Sequence, residues 1–461
     1  MASGDAPVLA TLMEQGTYVP DCVSVFPSVT PVCAASITTG VGPDRHLIPG
    51  MNWYHRGEGR YVEYGTSFVA SRSFGIVRSL TDTIYHLNLA HLSSEVSTVF
   101  EDLDDGAFRT AGTTYLIYRG RHRHEANKRT ALSRFAATTI FGHATYGPRE
   151  LFYADLFASR ATNCRAQLGM PGMRDQHSGC VGAYLVEEDL FDFLLLSLPD
   201  NDTYSHRRGP LQQPPAIAAA DRQLQRLVDA AGGMEAFLQR YSVIVCSDHA
   251  QSLITNRIDL PEYFDNWRIL QPNDRVPEEA EVALCPSARA AMIYALGRER
   301  EHMQRRALAA AQEVEGVDLV VWRDDKWANV WSYRGQLRFA PAGKLQDLAG
   351  RKWKVEGDWE VLALERDGKQ IFSSEYPNAL ERLWSAVCCP TAGEILLSAA
   401  EGFEFADWGG GAHIGGGSHG SLGKSDSLAT LIMCGVKNVP QREQWTLPDI
   451  AKLVTGHFGV K

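Results

Sequence analysis

Apolar residues recur at helical spacing in APVLATLMEQG, and the run closes on Gly16, a residue suited to a helix C-cap. YVPDCVSVFPSVT follows as an extended approach to Thr30. SSEVSTVFEDL carries a serine ahead of a helical pattern with a glutamate in its first turn, and after the break at Gly112, TTYLIYRG reads as a strand. FDFLLLSLP and YSVIVCSDH are short, nearly continuous apolar runs, the pattern of strands buried on both faces. Between them PPAIAAADRQLQRLVDAAGG is opened by prolines and closed by glycines, as a helix is. Alternating strand and helix with polar residues just beyond each strand predicts an open α/β sheet, whose sites lie past the carboxyl ends of its strands.

The texture changes from about Asn266 to about Ser374. A helix rich in Arg, Glu and Ala, roughly Arg298 to Glu313, leads into VDLVVWR and then into short alternating runs in WANVWSYRGQLRF and KWKVEGDWEVLAL. This predicts a smaller α+β insertion, a cap over residues 266–374, within a discontinuous core of residues 1–265 and 375–461. Core texture returns in GEILLSAAEGFEF, the glycine-dense DWGGGAHIGGGSHGSLG, the strand-like LATLIMCGV and the helix-like LPDIAKLVTGHFGV. The glycine-dense stretch lacks the lysine of a phosphate-binding P-loop. No internal repeat is present.

Composition narrows the function. The 461 residues carry a formal net charge of -10 with both signs interspersed, which argues against a nucleic-acid polymer as partner. RGRHRHEANKR is the one basic run of note, read as a solvated surface stretch with substrate phosphate as its alternative ligand. Apolar runs are strand-length, far short of the roughly 18 to 20 residues of a membrane helix, so no membrane partner is expected. The nine cysteines are odd in number and several sit in apolar settings, so they are expected to be small buried hydrophobes in a reducing compartment. MASGDAPVLATLMEQG has neither the charged region nor the apolar core of a signal peptide, which points to the cytoplasm. Composition leaves the oligomeric state open.

Candidate chemistry lies in four strings. Asp202 and His206 sit four apart in DTYSHRRGP; Asp248 and His249 are adjacent at the end of an apolar strand; His419 lies in GSHG; Thr30 ends FPSVT. Carboxylate and imidazole together are an O/N ligand set for Zn²⁺ or Mn²⁺. Taken singly, each has an ordinary reading as a solvated loop, a strand cap, an exposed loop histidine or a turn threonine, and His413 competes with His419. A threonine hydroxyl becomes a competent nucleophile beside a divalent cation, with a second ion to stabilise the leaving oxygen. Asn52, in IPGMNWY, could donate its amide to a phosphoryl oxygen or serve a turn.

The four strings, in this order, resemble the type I phosphodiesterase and nucleotide pyrophosphatase branch of the alkaline phosphatase superfamily. FPSVT with TTGVGPDRHLIPGMN resembles the nucleophile segment, DTYSHRRGP the first Asp and His pair, SDH the second pair and GSHGSL the final histidine. The resemblance implies an alkaline-phosphatase-like α/β core with a mainly parallel sheet, and hydrolysis of a small phosphate ester, most naturally a diester, through a phospho-threonine. It implies Thr30 as nucleophile and Asn52 as phosphoryl contact. One of two divalent ions, Zn²⁺ or Mn²⁺, would be held by Asp202, His206 and His419, the other by Asp248 and His249. Two departures stand out. Ser205 replaces a glycine, and only MASGD precedes the first helix where the family has a strand ending in Asp-Gly that supplies a carboxylate to the second ion. The coding region upstream of Met1 is therefore expected to encode such a strand. A sulfatase would need Cys-x-Pro-x-Arg, whereas Cys33 is followed by Ala-Ala-Ser. A phosphomonoesterase, a phosphonate hydrolase and a degenerate binding protein remain alternatives.

Overall fold

The computed structural model describes residues 4–127, 142–154, 156–166, 172–274 and 277–460. The first helix, α1 (Pro7–Gln15), is followed by β1 (Thr17–Val23) and by α2 (Thr30–Thr39), which starts at the candidate nucleophile. A hairpin, β2 (Asn52–His55) and β3 (Arg60–Glu63), comes next, then a π-helical stretch, Asp82–His91. The helix Val99–Asp105 has a full capping box, Thr98 and Glu101 each satisfying the other's backbone N–H. TTYLIYRG is not a strand; β4 is Thr110–Thr113, one turn earlier, where Ala111 and Gly112 fit a fully buried position.

Two sheets make up the half that bears the candidate site residues. In one, β4 pairs in parallel with β5 (Glu150–Tyr153) and with β6 (Phe193–Leu195), and the short strand Phe157–Ala158 adds to β5 antiparallel. Between them in sequence runs α3 (Arg174–Glu187), which packs on α4 (Pro214–Ala230), the proline-opened helix predicted above. In the other sheet, β1 and β7 (Val243–Cys246) flank the strand Leu428–Cys434, antiparallel to both. The sheet is therefore mixed, with its parallel part confined to β4, β5 and β6. β6 and β7 are terminal strands of their respective sheets. Both line one cleft of about 2560 Å³, together with Leu9, Leu224, Leu227 and Phe237. The apolar side chains of β6 and β7 are accordingly only half-buried, although their pattern is that of strands covered on both faces.

The second half is a nine-stranded, almost wholly antiparallel sheet, larger than the small cap expected. It contains β8 (Val282–Ser287), β9 (Ala290–Ala295), β10 (Val317–Asp324), β11 (Trp327–Ser332) and β12 (Gly335–Gln346). Strand Ile395–Ala399, from the sequence segment assigned to the core, is hydrogen-bonded between β9 and β10. The helix Arg300–Gln312 covers this sheet through Ala307 and Ala311, whose small side chains allow close approach. Cys164 and Cys180 form a disulfide, which corrects the expectation that all nine cysteines are unpaired; the other seven are free. No pairing of two cysteines sixteen residues apart can be read from composition alone. In the basic run, Arg119 and Arg121 are paired with Glu101 and Arg123 with Glu125, as a surface stretch would be; its Lys128 and Arg129 lie outside the described residues. No helix among the described residues is long and apolar enough to cross a membrane.

Candidate metal centre

The site gathers at the ends of four segments. Asp202 and His206 lie on the helix Asp200–Arg208, which follows β6. Their spacing of four places both on one face, with Asp202 Oδ2 3.4 Å from His206 Nε2. Asp248 and His249 leave the end of β7, and His419 follows the short strand Gly417–Ser418. Asp202 Oδ1 is 3.7 Å from His419 Nε2, and suitable ligand atoms of Asp202, His206 and His419 all lie within 4.8 Å of one another.

Each imidazole is oriented by its far nitrogen. His206 Nδ1 lies 2.7 Å from Gly417 O, His419 Nδ1 2.8 Å from Ser28 O, and His249 Nδ1 3.0 Å from Ala250 O. A carbonyl only accepts, so each Nδ1 carries a proton and each Nε2 is the atom turned toward a carboxylate. This is the arrangement found behind metal-ligating histidines. His249 Nε2 is 3.5 Å from Asp248 Oδ2 and 3.4 Å from Thr30 Oγ1, and its ring stacks on His419 at 3.6 Å between centroids. Thr30 and the five acidic and imidazole residues thus line one cleft.

Electrostatics agree with cation binding. Burial works to raise the Asp202 carboxyl, but His206, then His419 and His249, hold it well below the usual carboxylate range. Burial and the neighbouring His249 push His419 well below its ordinary value, which keeps it neutral. Asp248 is raised, chiefly by burial and against the pull of His249, as expected for a carboxylate short of positive partners. Among the described residues Asp248 and His249 belong to no group of three ligands, whereas Asp202, His206 and His419 do.

The glycines of GGGSHG have a steric role. A Cβ at Gly416 would stand 1.9 Å from His206 O, and one at Gly417 would stand 2.4 Å from Gln251 Oε1. Only glycine lets this strand lie against the end of the His206 helix. Ser205 is accommodated without strain, its buried hydroxyl accepting from Gln213. Three site residues escaped the sequence reading. Gln251 donates to Asp202 Oδ1 at 2.5 Å, Ser28 supplies the His419 carbonyl, and Glu404 accepts from His413, whose ring stacks on His206 at 4.1 Å. Gln251 lies two residues past His249, the one hint that sequence offered. Asn52 is buried; its Nδ2 donates to Val62 O, and its Oδ1 has no hydrogen-bond partner.

A family model for type I phosphodiesterase / nucleotide pyrophosphatase matches residues 1–421. The chain belongs to this family. Phosphonoacetate hydrolase from Sinorhizobium meliloti 1021, solved with phosphonoacetate, shares the fold at TM-score 0.54 and 17% identity, over 99% of this chain and 91% of that one. Murine ectonucleotide pyrophosphatase / phosphodiesterase 5, as an inactive threonine-to-alanine form with AMP, shares it at TM-score 0.56 and 13% identity, over 99% and 90%. The human form of that enzyme gives 0.55 and 13%, over the same shares. No curated protein sequence matches. These findings correct the cytoplasmic assignment: family members of this fold include ecto-enzymes, and the Cys164–Cys180 bridge does not suit a reducing compartment.

Proposed function

We propose that this phosphodiesterase-family chain hydrolyses small phosphate esters, diesters foremost, through a phospho-threonine at Thr30. The observation carrying this is that Thr30, two carboxylates and three imidazoles, each oriented by a carbonyl at its Nδ1, line one cleft. The donor set fits two divalent ions of the Zn²⁺ or Mn²⁺ kind, one on Asp202, His206 and His419, the other on Asp248 and His249. When bound, they would supply Lewis-acid stabilisation of charge on the phosphoryl and on the attacking and leaving oxygens.

The chain's own residues do the rest. Thr30 opens α2, so its hydroxyl stands at the positive end of the helix dipole, which favours an anionic phosphoryl group. Thr30 Oγ, its proton lost to solvent, attacks phosphorus; the ester oxygen departs and takes up a proton as the alcohol, and water then cleaves the phospho-threonine from the opposite side, restoring the threonine hydroxyl and releasing the phosphate product. Gln251 holds Asp202, and the carbonyls of Gly417, Ser28 and Ala250 hold the imidazoles in the ligating tautomer. The murine relative, inactive as a threonine-to-alanine form, is in keeping with this reading. Asn52 stays in it as a phosphoryl contact only if its Nδ2, now donating to Val62 O, turns toward the phosphoryl group.

Thr30→Ala should lower turnover of an aryl phosphodiester by at least about 10³-fold while leaving metal content and the unfolding transition in place. A variant with near-wild-type rate would remove Thr30 from the mechanism. A parallel assay of monoesters and phosphonates ranks the substrate classes. Phosphonates deserve inclusion because one relative of this fold is a phosphonoacetate hydrolase.

A further inference from the structure

Two short helices after β3 present apolar side chains to solvent at the edge of the Thr30 cleft. In the helix Phe68–Phe74, Phe68, Val69 and Arg72 are exposed, while Ala70 and Phe74 face inward. Steps of three and four put the exposed three on one stripe. The helix Ile76–Thr81 is inside out. Its one buried residue is Ser79, whereas Ile76, Val77 and Leu80 are exposed and again share a stripe, with Arg78 beside them. Phe68 is 74% exposed, and Val69 and Val77 are 55% exposed. Single exposed apolar residues carry no message, but five gathered on two consecutive helices do. Phe68 and Leu80 also line the cleft that holds Thr30.

Contacts underneath fix these stripes in place. The Phe74 ring packs edge-on against Tyr61 and Trp408, at 5.5 and 6.3 Å between centroids. Ser67 caps the first helix by accepting from the Ala70 amide, and its hydroxyl donates to Asp407 at 2.5 Å. Past the second helix, the Thr83 hydroxyl donates to Ser79 O at 2.7 Å and Arg60 holds Asp82 at 2.7 Å.

Charge on the patch has one sign. Residues 64–81 contain two arginines and no acidic residue, in a chain of net charge -10. Arg72 and Arg78 are exposed, and among the described residues no ion pair engages either. The carboxylates around the patch are already engaged: Glu63 is buried and accepts from the Gly65 and Thr66 amides, Asp82 is buried on Arg60, and Asp407 accepts from Ser67 and the Gly409 amide.

The complement of such a surface is apolar and anionic at once. An anionic phospholipid bilayer has that chemistry, since apolar side chains enter the acyl boundary while guanidinium groups meet the phosphates. Attachment of this kind needs no membrane-spanning helix. A protein seated on the patch would cover the cleft that Phe68 and Leu80 share with it, whereas a lipid surface brings phosphodiesters to that cleft.

We propose that the outward stripes of the helices Phe68–Phe74 and Ile76–Thr81 dock this chain on an anionic phospholipid surface, with the edge of the Thr30 cleft turned toward the headgroups. Headgroup esters as substrates rest on the hydrolytic reading above; the docking does not.

The test sediments the full chain with vesicles of phosphatidylcholine alone and of phosphatidylcholine mixed with phosphatidylglycerol. The chain should pellet with the mixed vesicles, and less so as salt is raised. Ile76→Ser combined with Val77→Ser should lower the partition coefficient by at least about 10-fold. Arg72→Gln and Arg78→Gln should each lower it roughly 5-fold on the mixed vesicles. None of these four residues lines the cleft, so the thermal midpoint and hydrolysis of a soluble aryl phosphodiester should stay at the wild-type level. A chain that pellets in this way yet hydrolyses no ester keeps the docking and removes the hydrolytic reading. Three results overturn the proposal: no pelleting with mixed vesicles, equal pelleting of wild type and variants, or a wild-type dimer that Ile76→Ser with Val77→Ser splits, which assigns the patch to a second copy.

Discussion

His46 shows how one buried group conditions the nucleophile's surroundings. It lies just after α2, fully buried, accepting from the Ile48 amide at Nδ1 and placing Nε2 3.0 Å from the Ser36 hydroxyl on that helix. Burial lowers it to about 3 from an ordinary 6.5. The unfolded chain therefore takes up this proton first as pH falls. The stability contributed by neutral His46 is complete above about 6.5 and is lost progressively down to about 3. His46→Gln keeps a buried amide that can bond Ser36, and should flatten the pH dependence of unfolding in that window while costing about 1 to 3 kcal/mol at pH 7. Urea unfolding of both chains from pH 4 to 8 checks this; parallel curves would show that other groups set the acid limb. His46 also marks the limit of sequence reading. Asp202, His206, Asp248, His249 and His419 stood out as candidates because two lie four apart, two end an apolar strand and one sits among glycines. The Ser28 and Gly417 carbonyls that orient the rings carry no side-chain signal, and neither does the burial that makes a histidine such as His46 neutral.

At the level of elements, the His419 loop depends on a contact from the large sheet. Arg289, between β8 and β9, pairs with Asp426 at 2.5 Å, both fully buried, and its backbone N–H donates to His419 O at 2.8 Å. Asp426 also accepts from Ser252 and from the Ser421 amide. Gly420 fits between them at φ 120°, where a Cβ would meet Arg289 N at 3.0 Å. Removing one partner leaves the other charge buried and unpaired, so Asp426→Ala should destabilise by about 3 to 5 kcal/mol. It should also loosen the ion held by His419 more than the one held by His249. Denaturant melts and metal titration read the two effects; a destabilised chain with unchanged metal affinity would separate the loop from the ion pair. Sequence texture assigned β8 to β12 to a small cap, and this was the harder part to read. Alternating apolar runs specify strands but not their neighbours, and Ile395–Ala399 joins β9 and β10 from more than seventy residues away in the chain.

For the whole molecule, the division between β6 and β7 matters most. Each of these strands keeps one row of backbone groups without a sheet partner, facing a cleft lined by apolar side chains. The upper end of that cleft reaches Asp248 and His249, the pair that lacks a third ligand. We predict that fusing a five-residue apolar strand ending in Asp-Gly ahead of Met1, with a short linker, raises the melting temperature and tightens the second ion together. Asn in place of that Asp should keep the first gain and lose the second. If neither fusion alters melting, the cleft does not accept a strand. Without such a partner, the usual distribution of rigidity is inverted. In most α/β domains amide protons exchange slowest at the centre of the sheet and fastest at its margins. Here the slow amides should be those of β4 and of Leu428–Cys434, each paired on both sides, and the fast ones those of β6 and β7, as hydrogen exchange would read. The strands that lead into Asp202 and Asp248 are then the ones expected to breathe most readily.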